Sequence, residues 1–303
     1  MIIITGINGF VGSNLRSYLY DKEKKTLGAS RNPGIDEVHY SEINKTLLNN
    51  TNCFIHLAGK AHDLKKTSED REYYEVNTEL TKKVFNQFLE SSSEVFIFMS
   101  SVKAAADVVQ DILLEDVIPD PVTVYGKSKL AAEEYILSKE IPENKRVYIL
   151  RPCMIHGPNN KGNLNLLYNF VSKGIPYPFG RYINKRSFVS VDNLCFVIKE
   201  LIDSSKIESG IYNIADDISL STIDLVQMMS EILCKPTRIL KVPKLIIRFI
   251  AKVGDFLPLP INSERFVKLT ENYEVSNLKI KNAIQKKLPI SSGEGIKKTL
   301  ISF

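Results

Sequence analysis

The chain has 303 residues, 44% of them hydrophobic and 25% charged, with a formal net charge of +5. That balance excludes disordered, collagenous and disulfide-stapled chains, and the length suffices for one large domain or two modest ones around a substantial core. The mild positive charge suits an anionic small ligand and an ordinary basic surface equally well, and no Lys/Arg block resembles a nucleic-acid arm.

In chain order, residues 1–5 form a β-branched, strand-like run, and residues 12–20 carry helical spacing. Strands are predicted at 26–29, 53–58, 95–99 and 147–150, with helices at 74–89 and 128–138 between them. Short, fully apolar strands alternating with helices predict a parallel sheet covered on both faces. Beyond Arg151 the texture changes. Residues 157–180 are rich in Gly, Asn and Pro, as a pocket-shaping loop region would be. A helix at 191–202 and a strand at 210–215 return to the sheet, and from Ser219 onward the pattern is mainly helical. The fold expected is α/β: a Rossmann-type doubly wound parallel sheet from residues 1–160 and 188–215, with a smaller, mainly helical lobe from 161–187 and 216–303.

Four cysteines, Cys53, Cys153, Cys195 and Cys234, form no C-x-x-C pair. No metal site is expected, and each reads as a small core residue in a reducing cytoplasm. Residues 1–4 already read as strand, which leaves no room for a signal peptide, and the apolar stretch 245–250 is interrupted by Arg248 and too short to span a bilayer. The amphipathic segment 244–257 fits a lobe helix packed into the core better than a helix lying on a membrane.

Directly after the first strand comes Gly6-Ile7-Asn8-Gly9-Phe10-Val11-Gly12, leading into a helix. Glycines there permit a tight turn and close backbone approach to a pyrophosphate, at a helix N-terminus whose dipole favours anions. Tyr125 and Lys129 form a Y-x-x-x-K pair at the start of a helix, and positions four apart share one helical face. A free phenol titrates near pH ~10, so an adjacent ammonium is expected to lower it toward a useful range. Ser101, at the end of the strand 95–99, lies 24 positions before Tyr125.

The glycine spacing, Asn77 in Glu75-Val76-Asn77-Thr78, Ser100-Ser101, Tyr125, Lys129 and Arg151-Pro152, in this order, resemble the extended short-chain dehydrogenases/reductases of the NAD-dependent epimerase/dehydratase type. The resemblance implies a nicotinamide cofactor held by Gly6, Asn8, Gly9, Phe10, Val11 and Gly12, by Leu57, Ala58 and Gly59, and by Asn77, Ser100, Tyr125, Lys129, Pro152 and Ile155. Glu42-Ile43 stands where the family carries an acidic residue near the adenine, although Glu42 reads equally as a solvated carboxylate. Ser30 and Arg31 replace the Asp that binds both ribose hydroxyls in NAD-selective members. A guanidinium there suits a 2′-phosphate, so NADP(H) is favoured over NAD(H), with stacking on adenine the alternative for Arg31.

Further likenesses concern the substrate. Ser101 is followed by Val102-Lys103 and not by the Asp-Glu pair of the family's dehydratases, so water elimination is not expected. Asn163-Leu164, Pro178-Phe179-Gly180 and Arg186 resemble segments that hold the diphosphate and uracil of a UDP-sugar, with a surface ion pair the alternative for Arg186. The family's late Arg and nearby Asp, which hold uridine ribose and phosphate, have no evident counterpart around residues 268–273, where Lys268 is the available substitute. Substrate contacts are thus expected from Ser101, Val102, Lys103, Tyr125, Asn163, Leu164, Phe179, Arg186 and Lys268. Ser100-Ser101-Val102-Lys103-Ala104 together with Asn184-Lys185-Arg186-Ser187-Phe188 resembles the UDP-glucose 4-epimerase-like branch that includes reductases forming UDP-N-acetylquinovosamine or UDP-N-acetylfucosamine. The resemblance implies an NAD(P)H-dependent 4-keto reductase of a UDP-4-keto-6-deoxy-N-acetylhexosamine for bacterial surface polysaccharide, catalysed by Ser101, Tyr125 and Lys129. The nearest alternative is a UDP-sugar 4-epimerase with tightly bound NAD. A non-catalytic nicotinamide-binding regulator is disfavoured, because such relatives lose the Tyr or Lys. Helices 74–89 and 128–138 correspond to those pairing family members into homodimers.

Overall fold

The computed structural model describes residues 1–60, 69–160, 162–257 and 262–303. Its strands are β1 (Ile2–Thr5), β2 (Thr26–Ser30), β3 (Glu37–His39), β4 (Cys53–His56), β5 (Val95–Met99), β6 (Ile112–Leu113), β7 (Arg146–Pro152), β8 (Met154–His156), β9 (Phe188–Ser190), β10 (Gly210–Ile214) and β11 (Glu274–Val275). Seven of them form one sheet in the order β10-β7-β5-β4-β1-β2-β3. Every pairing in it is parallel, with Ile2 opposite Thr26 on one side and Cys53 on the other. β1, β4 and β5 are buried along their whole length, which is why they read as continuous apolar runs. The chain builds outward from β1 through β2 and β3, then restarts at β4 on the other side. The resulting switch point, between β1 and β4, opens a crevice at the carboxyl ends of the strands.

The helices are α1 (Phe10–Tyr20), α2 (Lys45–Leu48), α3 (Asp70–Tyr74), α4 (Leu80–Glu90), α5 (Val124–Leu137), α6 (Asn163–Ser172), α7 (Val191–Asp203), α8 (Thr222–Ile232), α9 (Lys244–Val253), α10 (Ser263–Thr270), α11 (Leu278–Ile284) and α12 (Ser292–Ile301). Alternation along β5 divides the core: Val95, Ile97 and Met99 join Leu15, Leu194 and Ile198 on one face, while Phe96 and Phe98 join Phe54, Phe85, Phe88 and Ile136 on the other. A third cluster, around Tyr177, Phe179, Leu225, Met229, Ile296 and Leu300, forms the interior of the later residues. Two short parallel pairs, β8–β9 and β6–β11, lie outside the main sheet. Their two- and three-residue strands carry too little periodicity to be foreseen.

Three expectations need correction. The helix expected over 74–89 is divided by a π-helical turn, Glu75–Glu79, between α3 and α4; such turns gather at functional sites, and this one carries Asn77. Cys234 is exposed, in a left-handed conformation past the end of α8, whereas Cys53, Cys153 and Cys195 are buried. Finally, α9 is not a core helix. Only Ile247 and Ala251 of it are buried.

Candidate active site

The glycine loop turns directly off β1. Gly6 adopts φ +68°, and a Cβ there would stand 2.8 Å from the Ala58 backbone nitrogen. At Gly12 a Cβ would meet Gly6 O at 2.3 Å, so the first turn of α1 packs on the loop with no room for a side chain. The α1 N-cap, Gly9, supplies no side-chain hydrogen bond, which leaves the helix's first N–H groups to an anion. These features fit a dinucleotide's pyrophosphate. Phe10, Val11, Leu57 and Ile155 pack on the core beside this loop, and Pro152 ends β7.

Beneath the loop His56 is completely buried, with Nδ1 2.7 Å from Thr5 Oγ1 and Nε2 3.0 Å from Thr81 Oγ1. Thr5 Oγ1 accepts from the Ala58 N–H, and Thr81 Oγ1 donates to Asn77 O. Burial, with Lys129 adding to it, pushes the His56 pKa down to about 3. Asn77 is also fully buried: its Oδ1 accepts from Lys60 N at 2.8 Å, and its Nδ2 donates to Lys60 O and Ser128 Oγ. The Asn is therefore engaged in fixing the 59–60 backbone against α5, and Gly59 lies against both Asn77 Oδ1 and Lys129 Nζ.

The adenosine end holds a residue that the sequence did not reveal. Ser30 ends β2 with a buried hydroxyl, and Arg31 is exposed. Beside them Glu37, from β3, keeps a side chain only 5% exposed, 3.1 Å from Asn8 Nδ2 and 3.8 Å from Arg16. Burial opposes its ionisation, but the surrounding Ser30, Gly34 backbone, Asn8 and Arg16 hold its pKa below the usual carboxylate value. The neighbouring strand thus sets an ionised carboxylate beside the tip of β2. The Glu42 carboxylate caps His39 N at 2.7 Å, and Ile43 is buried in the core.

At the carboxyl end of β5, Ser101 caps a short turn over Val102–Ala104. Thr123 caps α5, which starts at Val124, four residues earlier than expected, and places Tyr125 in its first turn. Lys129 is buried, its Nζ donating to Met99 O at 2.8 Å, and burial pushes its pKa down to about 8 against the pull of Glu133. Tyr125 departs from expectation. Its pKa is raised, because burial outweighs the lowering by the nearby Ser101 hydroxyl and Tyr73 adds to the rise. The Lys129 ammonium, which donates one hydrogen bond to the Met99 carbonyl, does not offset that burial.

Below this constellation Tyr125, Lys129 and Glu133 recur at four-residue spacing along α5. Glu133 receives Arg151 Nε and Nη2 at 3.1 and 2.6 Å and a short hydrogen bond from Ser100, all buried. Removing one partner of such a pair strands a charge, at a cost of about 3–5 kcal/mol. Ser100 and Arg151 therefore seat α5 against β5 and β7. Val102 does not face the cleft but is buried with Ala105, Leu113 and Tyr273. Lys103 donates to Asp107 O at 2.9 Å and sits 4.3 Å over the Tyr273 ring.

In the later residues a cavity of about 630 Å³ is lined by Leu164, Phe179, Arg186 and Lys268 together with Phe170, Thr222, Arg265 and other side chains. Arg186 forms an ion pair with Glu271 at 3.4 Å and donates to Lys268 O. Its guanidinium is thus pre-oriented at the wall by Glu271. Asn163 opens α6, its side chain outside the described part, as is Lys161. The structure brings Ser101, Tyr125, Lys129 and Asn77 together beside the glycine loop, and gathers Leu164, Phe179, Arg186 and Lys268 separately.

The family model described as NAD dependent epimerase/dehydratase family matches residues 2–215. The UDP-glucose 4-epimerase of Vibrio cholerae is 31% identical over 318 residues, covering 100% of this chain and 95% of that protein. The N-acetyl-alpha-D-glucosaminyl-diphospho-ditrans,octacis-undecaprenol 4-epimerase of Escherichia coli O157:H7 is 27% identical, over 77% of this chain and 72% of its own length. Among solved structures, MoeE5 in complex with UDP-glucose and NAD superposes with a TM-score of 0.76 at 19% identity, over 99% of this chain and 97% of that one.

Proposed function

This chain belongs to the NAD dependent epimerase/dehydratase family of enzymes, and we propose that within it the protein is an NAD(P)H-dependent 4-keto reductase of a UDP-4-keto-6-deoxy-N-acetylhexosamine. In this reading residues 1–160 and 188–215 hold the cofactor and 161–187 and 216–303 hold the sugar nucleotide, in a cytoplasmic homodimer paired through α4 and α5. One observation carries the choice of reaction: Tyr125 stands at the end of the sheet with its phenol held above its ordinary pKa, and Ser101 is followed by a buried Val102 and by Lys103 where an elimination would need carboxylates. A reductase requires a tyrosine that begins its cycle protonated.

When bound, the reduced nicotinamide supplies hydride to C4. Tyr125 gives its phenolic proton to O4, so the ketone becomes a hydroxyl and a phenolate remains. Ser101 donates a hydrogen bond to the same oxygen, polarising it before transfer. Lys129 keeps two further donors beyond the one on Met99 O; these stabilise the phenolate and hold the cofactor ribose. Arg186, steadied by Glu271, places a guanidinium fork on the sugar nucleotide's diphosphate.

NADP(H) is the proposed cofactor on the strength of Arg31. Glu37 favours the second reading, a UDP-sugar 4-epimerase that retains NAD, because a carboxylate repels a 2′-phosphate and accepts hydrogen bonds from ribose hydroxyls; the Vibrio cholerae relative supports the same alternative. The deciding assay mixes purified protein with UDP-4-keto-6-deoxy-N-acetylglucosamine and either NADPH or NADH and follows nicotinamide absorbance. Stoichiometric loss of reduced cofactor is expected, faster with NADPH. No loss with either cofactor, combined with epimerisation of a UDP-hexose without cofactor turnover, overturns the reductase in favour of the epimerase.

A further inference from the structure

Helix α9 presents large apolar side chains to solvent. Leu245 is 80% exposed, Ile246 49% and Phe249 69%, and Phe256, just beyond the helix, is 90% exposed. Leu245 and Phe249 stand one turn apart on one stripe. Lys244, Arg248 and Lys252, spaced by four, form the adjoining stripe, and all three are exposed. None of them makes an ion pair among the described residues, and the helix contains no Asp or Glu. Asp255, the first carboxylate after the helix in the sequence, accepts from Ser263 N at 2.9 Å and Ser263 Oγ at 2.6 Å. The third side of the helix, Ile247 and Ala251, anchors it to the lobe. Burial of a core helix would have turned the Leu245–Phe249 stripe inward; here the anchoring stripe is narrow and the wide one faces out.

We infer that α9 and Phe256 form a docking surface for an anionic phospholipid bilayer, with Leu245, Phe249 and Phe256 entering the headgroup–acyl boundary and Lys244, Arg248 and Lys252 lying against the phosphates. The complement of an apolar stripe edged by three cations and no anion is a surface both apolar and negative, which an anionic leaflet provides. The lysine and arginine stems can lie along the apolar layer while their heads stay among the headgroups. A second copy fits less well, because an isologous contact would bring two cationic stripes into one interface with no carboxylate of the helix to offset them. The placement also has a geometric consequence. Tyr182 Oη is 3.4 Å from Lys244 O, and its ring packs 6.2 Å from that of Phe179, a wall of the large cavity. Docking through α9 thus holds that cavity one aromatic layer from the bilayer. The inference is independent of which sugar or which reaction the active site serves.

The test is co-sedimentation of the full chain with vesicles of equal parts phosphatidylglycerol and phosphatidylcholine, and with phosphatidylcholine alone. The wild type is expected to pellet with the anionic vesicles and to remain largely in the supernatant with the neutral ones. Each cation near an anionic surface is worth several-fold in partition, so K244Q/R248Q/K252Q is expected to weaken binding by about 100-fold, and L245E/F249E to abolish it. Because these side chains are exposed, both variants should keep the wild-type melting temperature, which separates lost docking from lost folding. Wild type that stays in solution with anionic vesicles overturns the inference, as does L245E/F249E pelleting like wild type. So does an oligomer, seen by light scattering, that L245E/F249E splits while vesicle binding is absent in both; that result would assign the face to a second copy.

Discussion

At Gly12 there is no room for one added carbon, whereas around Arg186 a ring of side chains from several elements encloses a cavity of about 630 Å³. The two regions face different demands. The glycine loop, the ends of β4 and β5 and the start of α5 meet along backbone, and their positions are fixed by a rigid sheet, by fully buried Asn77 and by the Arg151–Glu133 pair. The later residues meet through side chains of amphipathic helices, which can be exchanged without disturbing the sheet. A site built from backbone tolerates few substitutions, whereas one built from side chains can be refitted to another ligand by substitution.

The comparison breaks most directly at Tyr125. Tyr125→Phe removes the proposed proton donor and leaves the ring, and turnover is expected to fall by about 10²–10⁴-fold with nucleotide-sugar affinity and melting temperature unchanged. Turnover within a fewfold of wild type, measured by nicotinamide absorbance, would place the chemistry elsewhere. A smaller effect, confined to the other region, is expected at Arg186. A charge-assisted hydrogen bond is worth about 1.5–3 kcal/mol, so Arg186→Gln should raise KM for the sugar nucleotide by about 10–100-fold while titration of the protein with the dinucleotide is unaltered. A matching loss of dinucleotide affinity would show that the two regions do not divide the work. The smallest effect sharpens the first region alone. Glu37→Gln relieves a screened repulsion and should shift the ratio of kcat/KM for NADPH over NADH upward by roughly threefold. A shift in the opposite direction would mean that Glu37 does not face the 2′ position.

What could be read from the sequence follows the same division. The glycine loop and six of the seven sheet strands are contiguous patterns, each with a backbone reason for its spacing, and the structure has them at those residues, with Tyr125 and Lys129 one turn apart on α5; the three-residue β3 was too short to read. Glu37, Glu133 and Glu271 were invisible, because a carboxylate in a sequence resembles any solvated charge until the fold sets Asn8, Arg151 or Arg186 beside it. The amphipathicity of α9 was legible, but its orientation was not: a helix with apolar stripes on two sides does not reveal which one the lobe takes. The raised phenol of Tyr125 was missed for a related reason. Four-residue spacing predicted a nearby ammonium, and only the fold shows that ammonium bonded to Met99 O.

The hydrogen bonds around His56 carry one more consequence, which concerns direction. Thr81 spends its hydrogen on the Asn77 carbonyl, so it receives one from Nε2; a neutral ring then leaves Nδ1 as acceptor, and Thr5 Oγ1, which accepts from the Ala58 amide, donates to it. Only one tautomer satisfies both ends. The imidazole becomes a polarised link running one way, from the strand end under the glycine loop to the turn that carries Asn77, and burial beside the Lys129 ammonium opposes a second ring proton. The unfolded chain, titrating at its ordinary 6.5, takes that proton long before the folded one does near 3. Falling pH within that window therefore drains stability from the junction of the two strands where the dinucleotide would sit, and above it the link contributes in full.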